Sequence, residues 1–218
     1  MKHLSTVMLF VCLAVPAAAQ DPVKVSSKNY RVVVDNARVR VLRVSVPAGG
    51  KTAMHEHPDN IVIALTDSKV RFTGADGKSQ DAEMKADQAL WNGPEKHMGE
   101  NTGSTAVDAL VIELKGSAAP TATVPASPPG MKEDKLIDNP RAVVTRATFD
   151  ASFQEPAGTT HAWDTVVVAL APSDTYLSVE GKVKDKWQRG DVSFIGRNAA
   201  HQAKGGQKPG DILIVRLK

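Results

Sequence analysis

The chain reads as an all-β protein built from two tandem units, and three observations predict this. Short runs rich in Val recur from residue 30 to the C-terminus, separated by Gly, Pro, Asn and Asp. No segment carries a capped, amphipathic helical stripe. The runs also fall into two blocks whose elements correspond, a repeat of roughly a hundred residues.

The chain starts with a leader. Met1-Lys2-His3 is a short basic stretch, residues 4–15 are apolar, and Pro16-Ala17-Ala18-Ala19 ends in an A-x-A cleavage pattern. Residues 1–19 are therefore expected to be a secretory signal peptide, with Gln20 as the first mature residue and a periplasmic or secreted destination. Cys12, the only cysteine, lies in this leader, and Val11 before it lacks the small side chain of a lipidation signal. No later stretch is long and apolar enough to span a bilayer, so no membrane anchor is expected after cleavage. The 27 basic residues nearly balance the 24 acidic ones, which provides no electrostatic case for nucleic acid.

The first unit is expected over residues 20–115. Residues 30–35 and 38–46 read as Val-rich strands, and Pro47-Ala48-Gly49-Gly50 as a turn. Residues 60–65 form an apolar β-branched run, 69–73 alternate, and Ala75-Asp76-Gly77 is a hairpin-type turn. Residues 88–91 and 106–115 complete the block. Residues 116–130, rich in Ala, Pro, Thr and Ser, read as a linker. The second unit, 131–218, restarts the pattern with strands at 141–149, 165–170, 175–179, 191–195 and 211–217. Glu155-Pro156-Ala157-Gly158 reads as a turn. The blocks match at Ile61-Val62-Ile63-Ala64-Leu65 against Val166-Val167-Val168-Ala169-Leu170. They match again at Ile112-Glu113-Leu114-Lys115 against Val215-Arg216-Leu217-Lys218.

Histidine placement points to chemistry. Apart from His3 in the leader, the histidines are His55, His57, His97, His161 and His201. In His55-Glu56-His57 the two imidazoles fall on one side of a strand and Glu56 on the other. A third imidazole, His97, joins from a distant strand, and three such nitrogens suit a divalent transition metal. Asp87 precedes His97 by ten residues, as Asp191 precedes His201.

These residues resemble the cupin superfamily, a double-sheet jelly-roll barrel with its ligand inside. Its first motif is G-x5-H-x-H-x3-4-E and its second G-x5-P-x-G-x2-H-x3-N. Gly49, His55 and His57 stand at the first motif's spacing, and His97 and Asn101 at the end of the second. The motif Glu falls on Ile61 or Val62, and Ala86, Asn92 and Pro94 replace the second motif's first Gly, Pro and second Gly. In the second block His161 and His201 occupy His positions and Gly190-Asp191 fits the second motif's start. Trp163 replaces the second His and Gly205 the Asn. The resemblance implies two tandem cupin barrels, the second degenerate.

The resemblance implies a metal site at His55, His57 and His97; Asp59, two residues beyond His57, is a weaker candidate ligand or outer acceptor by its place on the strand. The second barrel offers His161, His201 and Asp164 as a weaker set. The metal would be Fe, Mn, Ni or Zn, since imidazole ligands alone do not choose among them. Three neutral imidazoles leave the ion's double charge uncompensated and a coordination position open, a Lewis acid for a small organic substrate. The expected function is a metal-dependent enzyme of oxygenase, lyase or isomerase type. The alternatives are a non-catalytic periplasmic protein that binds a small ligand or the metal, and a purely structural role. A carboxylate within reach of the open metal face would favour the enzyme. Trp163 and Trp91 are either core residues or pocket walls, and Arg71 is either on a solvated outer face or an anion contact inside the barrel. Glu113 and Asp108 stand as strand carboxylates without a visible partner. By resemblance the chain is either a homodimer through edge strands or a two-barrel monomer.

Overall fold

The computed structural model describes residues 20–118 and 123–218. The leader with Cys12, and linker residues 119–122, lie outside the described residues. The first unit has nine strands: β1 (Tyr30–Asp35), β2 (Val39–Val46), β3 (His55–His57), β4 (Asn60–Ala64), β5 (Ser68–Gly74), β6 (Ser79–Met84), β7 (Ala89–Asn92), β8 (Glu95–Asn101) and β9 (Val107–Leu114). The second repeats them: β10 (Met131–Asp138), β11 (Ala142–Phe149), β12 (Gln154–Thr159), β13 (Asp164–Ala169), β14 (Tyr176–Val179), β15 (Lys182–Lys184), β16 (Val192–Ile195), β17 (His201–Lys204) and β18 (Gly210–Leu217). One helical turn, α1 (Pro22–Val25), precedes β1.

Strand order shows the repeat in three dimensions. The first barrel pairs a β1-β2-β9-β4-β7 sheet with a β3-β8-β5-β6 sheet; the second pairs β10-β11-β18-β13-β16 with β12-β17-β14-β15. Each strand of the second order is the ninth after its counterpart in the first, so the two jelly rolls share one topology. At the turn before β3, Gly49 takes a φ of +70°, a conformation that favours glycine.

The two five-stranded sheets are apolar on both faces, for different reasons. Inward residues of β2 and β9, including Leu42, Val44, Ala109 and Val111, fill the first barrel. Their outward neighbours Val39, Val41, Leu110 and Ile112 pack with Ile61 and Ile63 against Val144, Val166, Leu213 and Val215 of the second barrel. Two-sided burial explains why both apolar repeats are unbroken rather than alternating. The rim of this contact is polar and reciprocal. Arg38 pairs with Asp164 at 2.9 Å, and Arg141 with Asp59 at 2.9 Å, each pair using the same two repeat positions with the barrels exchanged. Arg189 binds Asp87 at 2.6 Å and the Leu65 carbonyl at 2.9 Å.

Several sequence expectations change. The Glu155–Gly158 segment is extended within β12, which pairs with β17 through an irregular register rather than forming a turn. β6, β8, β10, β12, β15 and β17 are strands too polar to be read from their own residues; cross-strand pairing rather than propensity sets them. The proline-rich stretch does more than connect, because Pro125, Ala126 and Pro128 line the second barrel's cavity.

Candidate metal centre

β3 and β8 build the site. In their antiparallel register His55 stands directly opposite His97, and His57 lies two residues along on the same inward face. Ring centroids are 4.8 Å apart for His55 and His57, 4.8 Å for His55 and His97, and 5.5 Å for His57 and His97. All three are buried, and each offers a ligand nitrogen within 4.8 Å of the others.

The imidazoles are held in defined orientations. His55 Nδ1 donates to the Ala53 carbonyl at 2.7 Å, which leaves Nε2 as the acceptor for the Tyr30 hydroxyl at 3.0 Å. His57 Nδ1 donates to Glu113 Oε1 at 2.7 Å, leaving its Nε2 lone pair free. Glu113 is 2% exposed and also accepts from Arg40, which in turn reaches Asp21 at 3.0 Å. Burial pushes the Glu113 carboxyl up, but hydrogen bonds from His57 and Arg40 outweigh it and hold it below the usual carboxylate range. Burial also pushes His55 down to about 4, with His57 and His97 adding to the shift, so it is neutral and ligand-ready at neutral pH.

His57 and His97 line a cavity of about 350 Å³, together with Tyr30, Val62, Phe72, Leu90 and Glu95 among others. Glu95 Oε2 lies 3.2 Å from His97 Nδ1. Burial raises its pKa, but His97, then His57 and His55, pull it below the usual value. The Tyr30 phenol is pushed up, first by burial and then by Glu95 and Glu113, so it is a protonated donor.

The two carboxylates among the weaker ligand candidates, Asp59 and Asp164, do not join either cluster. Asp59, just before β4, and Asp164, the first residue of β13, are the carboxylates of the two reciprocal inter-barrel ion pairs, because both turn toward the opposite barrel. Two further readings are corrected. Glu113 is partnered on both oxygens, and Asp108 pairs with Arg43. Arg71 forms an exposed two-pronged pair with Asp81, away from the cavity, and Trp91 packs on the inter-barrel core. Val62 lines the cavity where the motif expects a Glu, while Ile61 faces the other barrel. Asn101 is structural: its amide donates to the Val46 and Thr105 carbonyls at 2.9 and 2.8 Å.

In the second barrel His161 and His201 do meet, with ring centroids 4.8 Å apart, and the carboxylate between them is Glu155. Burial pushes Glu155 up, yet the two neighbouring imidazoles, His161 and His201, hold it at about 2. Trp163 is buried on that barrel's cavity wall.

Sequence reasoning missed Tyr30, Glu95, Glu113 and Glu155. Two of them left a signal: Glu113 shares parity with the inward residues Val107, Ala109 and Val111 of β9, and Glu95 stands two residues before His97.

No protein-family model matches the chain, and no curated protein matches it significantly. Solved structures do. The chain is similar to a cupin 2 conserved barrel domain protein from Leptotrichia buccalis, at 13% identity and TM-score 0.59, over 87% of this chain and 88% of that one. AerE from Microcystis aeruginosa aligns at 9% identity and TM-score 0.63, over 87% and 97%. A salicylate 1,2-dioxygenase from Pseudaminobacter salicylatoxidans aligns at 8% identity and TM-score 0.63, over 86% and 75%. The chain therefore has the cupin fold, as two tandem barrels.

Proposed function

We propose that the protein is an exported, metal-dependent enzyme whose centre is a divalent transition ion held by His55, His57 and His97 in the first barrel. The observation that carries this is the convergence of three buried imidazoles, two of them with Nδ1 tied to an acceptor so that Nε2 is left as a lone pair. This orientation by outer partners is what a metal-ligating histidine needs. Glu113 does it for His57 and the Ala53 carbonyl for His55. An ion held there would polarise a substrate oxygen as a Lewis acid or support dioxygen chemistry.

The chain's own residues supply the rest. Glu95 places a carboxylate beside the triad and on the cavity wall, a proton acceptor that favours an enzyme over a passive binding protein. Tyr30 places a protonated hydroxyl at His55 Nε2. Val62, Phe72 and Leu90 give the wall an apolar part beside polar residues such as Asn60, Gln88 and Asn92, a mixture that suits a small organic substrate with polar groups. Similarity to a dioxygenase supports an oxygenase among the oxygenase, lyase and isomerase readings. Export rests on the leader at residues 1–19.

Metal analysis of the purified protein, beside His57→Ala and His97→Ala, tests the centre. The wild type should hold an ion at this site and both variants should lose it. A wild type that binds none of Fe, Mn, Ni or Zn at this site refutes the proposal.

A further inference from the structure

The second barrel holds a cluster that the first-barrel centre does not use. Glu155 Oε1 lies 3.0 Å from His161 Nε2, and Glu155 Oε2 lies 3.3 Å from His201 Nε2. We propose that Glu155, His161 and His201 form a second, chemically different site for a divalent metal ion.

The first argument is electrostatic. His201 Nδ1 faces the Ala199 carbonyl at 3.1 Å and donates to it, as His55 donates to Ala53 in the first barrel. In the neutral ring Nε2 is then a bare lone pair. That nitrogen is buried, has no hydrogen-bond partner, and faces a carboxylate oxygen. Two acceptors confronting one another in a low-dielectric setting repel unless a cation lies between them. A proton on the imidazole would serve, and so would a metal ion shared by all three groups. The three ligand atoms already lie within 4.8 Å of one another, the convergence that an ion requires and a proton does not.

The second argument comes from the repeat. Where the first barrel has His57, the second has Trp163, and where the first has Glu113, the second has Arg216. The His and the carboxylate that orients it have been replaced together. Arg216 is paired instead with Glu133 at 2.8 Å. Glu155 stands opposite Ala203, two residues past His201, where the first barrel sets Thr52 against Gly99. The cluster is therefore not the remainder of a lost three-His site. It is a set rebuilt from a position that carries no ligand in the first barrel.

The setting fits a bound ion. All three groups line a cavity of about 260 Å³ whose other walls include Phe149, Phe153, Trp163 and Trp187. Glu155 and His161 are only half-buried, so an ion can enter. Two imidazoles and one carboxylate leave the ion a single net positive charge, against two in the first barrel. With open positions, this ligand set suits Fe(II), Mn, Co or Zn.

The test strips the purified full chain with chelator, reloads it with Co²⁺ or Zn²⁺, and counts ions per chain, with circular dichroism confirming that each variant is folded. The wild type should hold two ions, His97→Ala one, Glu155→Gln one, and the double variant none. His161→Ala, at a half-exposed position, should repeat the Glu155→Gln result. If Glu155→Gln and His161→Ala retain the wild-type count, the second site is refuted whatever the first barrel does. If instead His97→Ala leaves the count unchanged while Glu155→Gln lowers it, the first-barrel centre fails and the second site stands.

Discussion

Replacing Glu113 by Gln separates the positioning of His57 from the general stability of the first barrel. The carboxylate accepts from His57 Nδ1 at 2.7 Å and from Arg40, in a pocket where it is 2% exposed. Gln keeps the volume and one oxygen, but its amide presents a donor toward one of the two partners. His57 then loses its fixed tautomer or Arg40 loses its acceptor. Loss of an outer partner of this kind weakens metal affinity by about 10- to 100-fold, which is about 1.4–2.7 kcal/mol at 1.36 kcal/mol per tenfold. Arg40 keeps Asp21 and is partly solvated, so the stability cost falls below the 3–5 kcal/mol of a broken buried pair, at about 1–3 kcal/mol. The assay is competition for Zn²⁺ or Co²⁺ against a chromophoric chelator, with thermal unfolding in parallel. Arg40→Met is the control, since it costs comparable stability but leaves the His57 contact in place. Affinity of Glu113→Gln within twofold of wild type, in folded protein, would refute the positioning role. So would an equal loss of affinity in Arg40→Met.

Two further outcomes follow from the same contacts. The Tyr30 hydroxyl and a metal ion compete for the one Nε2 lone pair of His55, so Tyr30→Phe removes a hydrogen bond worth about 0.5–1.5 kcal/mol. Metal should bind Tyr30→Phe about 2- to 13-fold more tightly, and weaker binding by isothermal titration would mean that Tyr30 is itself a ligand. In the second barrel, Glu133 accepts from Arg216 at 2.8 Å and from Thr145 at 2.7 Å. Burial opposes ionisation there, but these bonds hold the carboxyl below its ordinary value. A depressed carboxylate stabilises the fold above its unfolded pKa of about 4.3 and loses that contribution as pH falls through the folded value. The stability gap between wild type and Glu133→Gln, from urea melts, should be constant near neutrality and shrink as pH drops below about 4. A gap unchanged down to pH 2 refutes this linkage.

The elements that could be read from the sequence were those whose residues state their own environment. The runs at Ile61–Leu65 and Val166–Leu170 are apolar at every position because both sheet faces are covered, and they marked both strand and repeat. β8 and β12 were not legible. β8 is mostly polar and β12 carries the turn residues Pro156 and Gly158, so their strand state comes from pairing with β3, β5 and β17. The same limit applied to ligands. Spacing places His55 and His57 on one face, whereas nothing local distinguishes Asp59, which serves Arg141, from Glu155, which sits between two imidazoles.

The sequence by itself determined the class of fold, its duplication, and the histidines around which a metal site would form, because periodicity and repeat are properties of the chain. Only the tertiary structure decided which carboxylates attend those histidines. A carboxylate's role depends on the direction it faces across a sheet and on the strand that lies opposite. Glu113 turned inward to His57 while Asp59 and Asp164 turned outward to the other barrel. Those directions are set by how the barrels close and pack, which no stretch of the chain encodes alone.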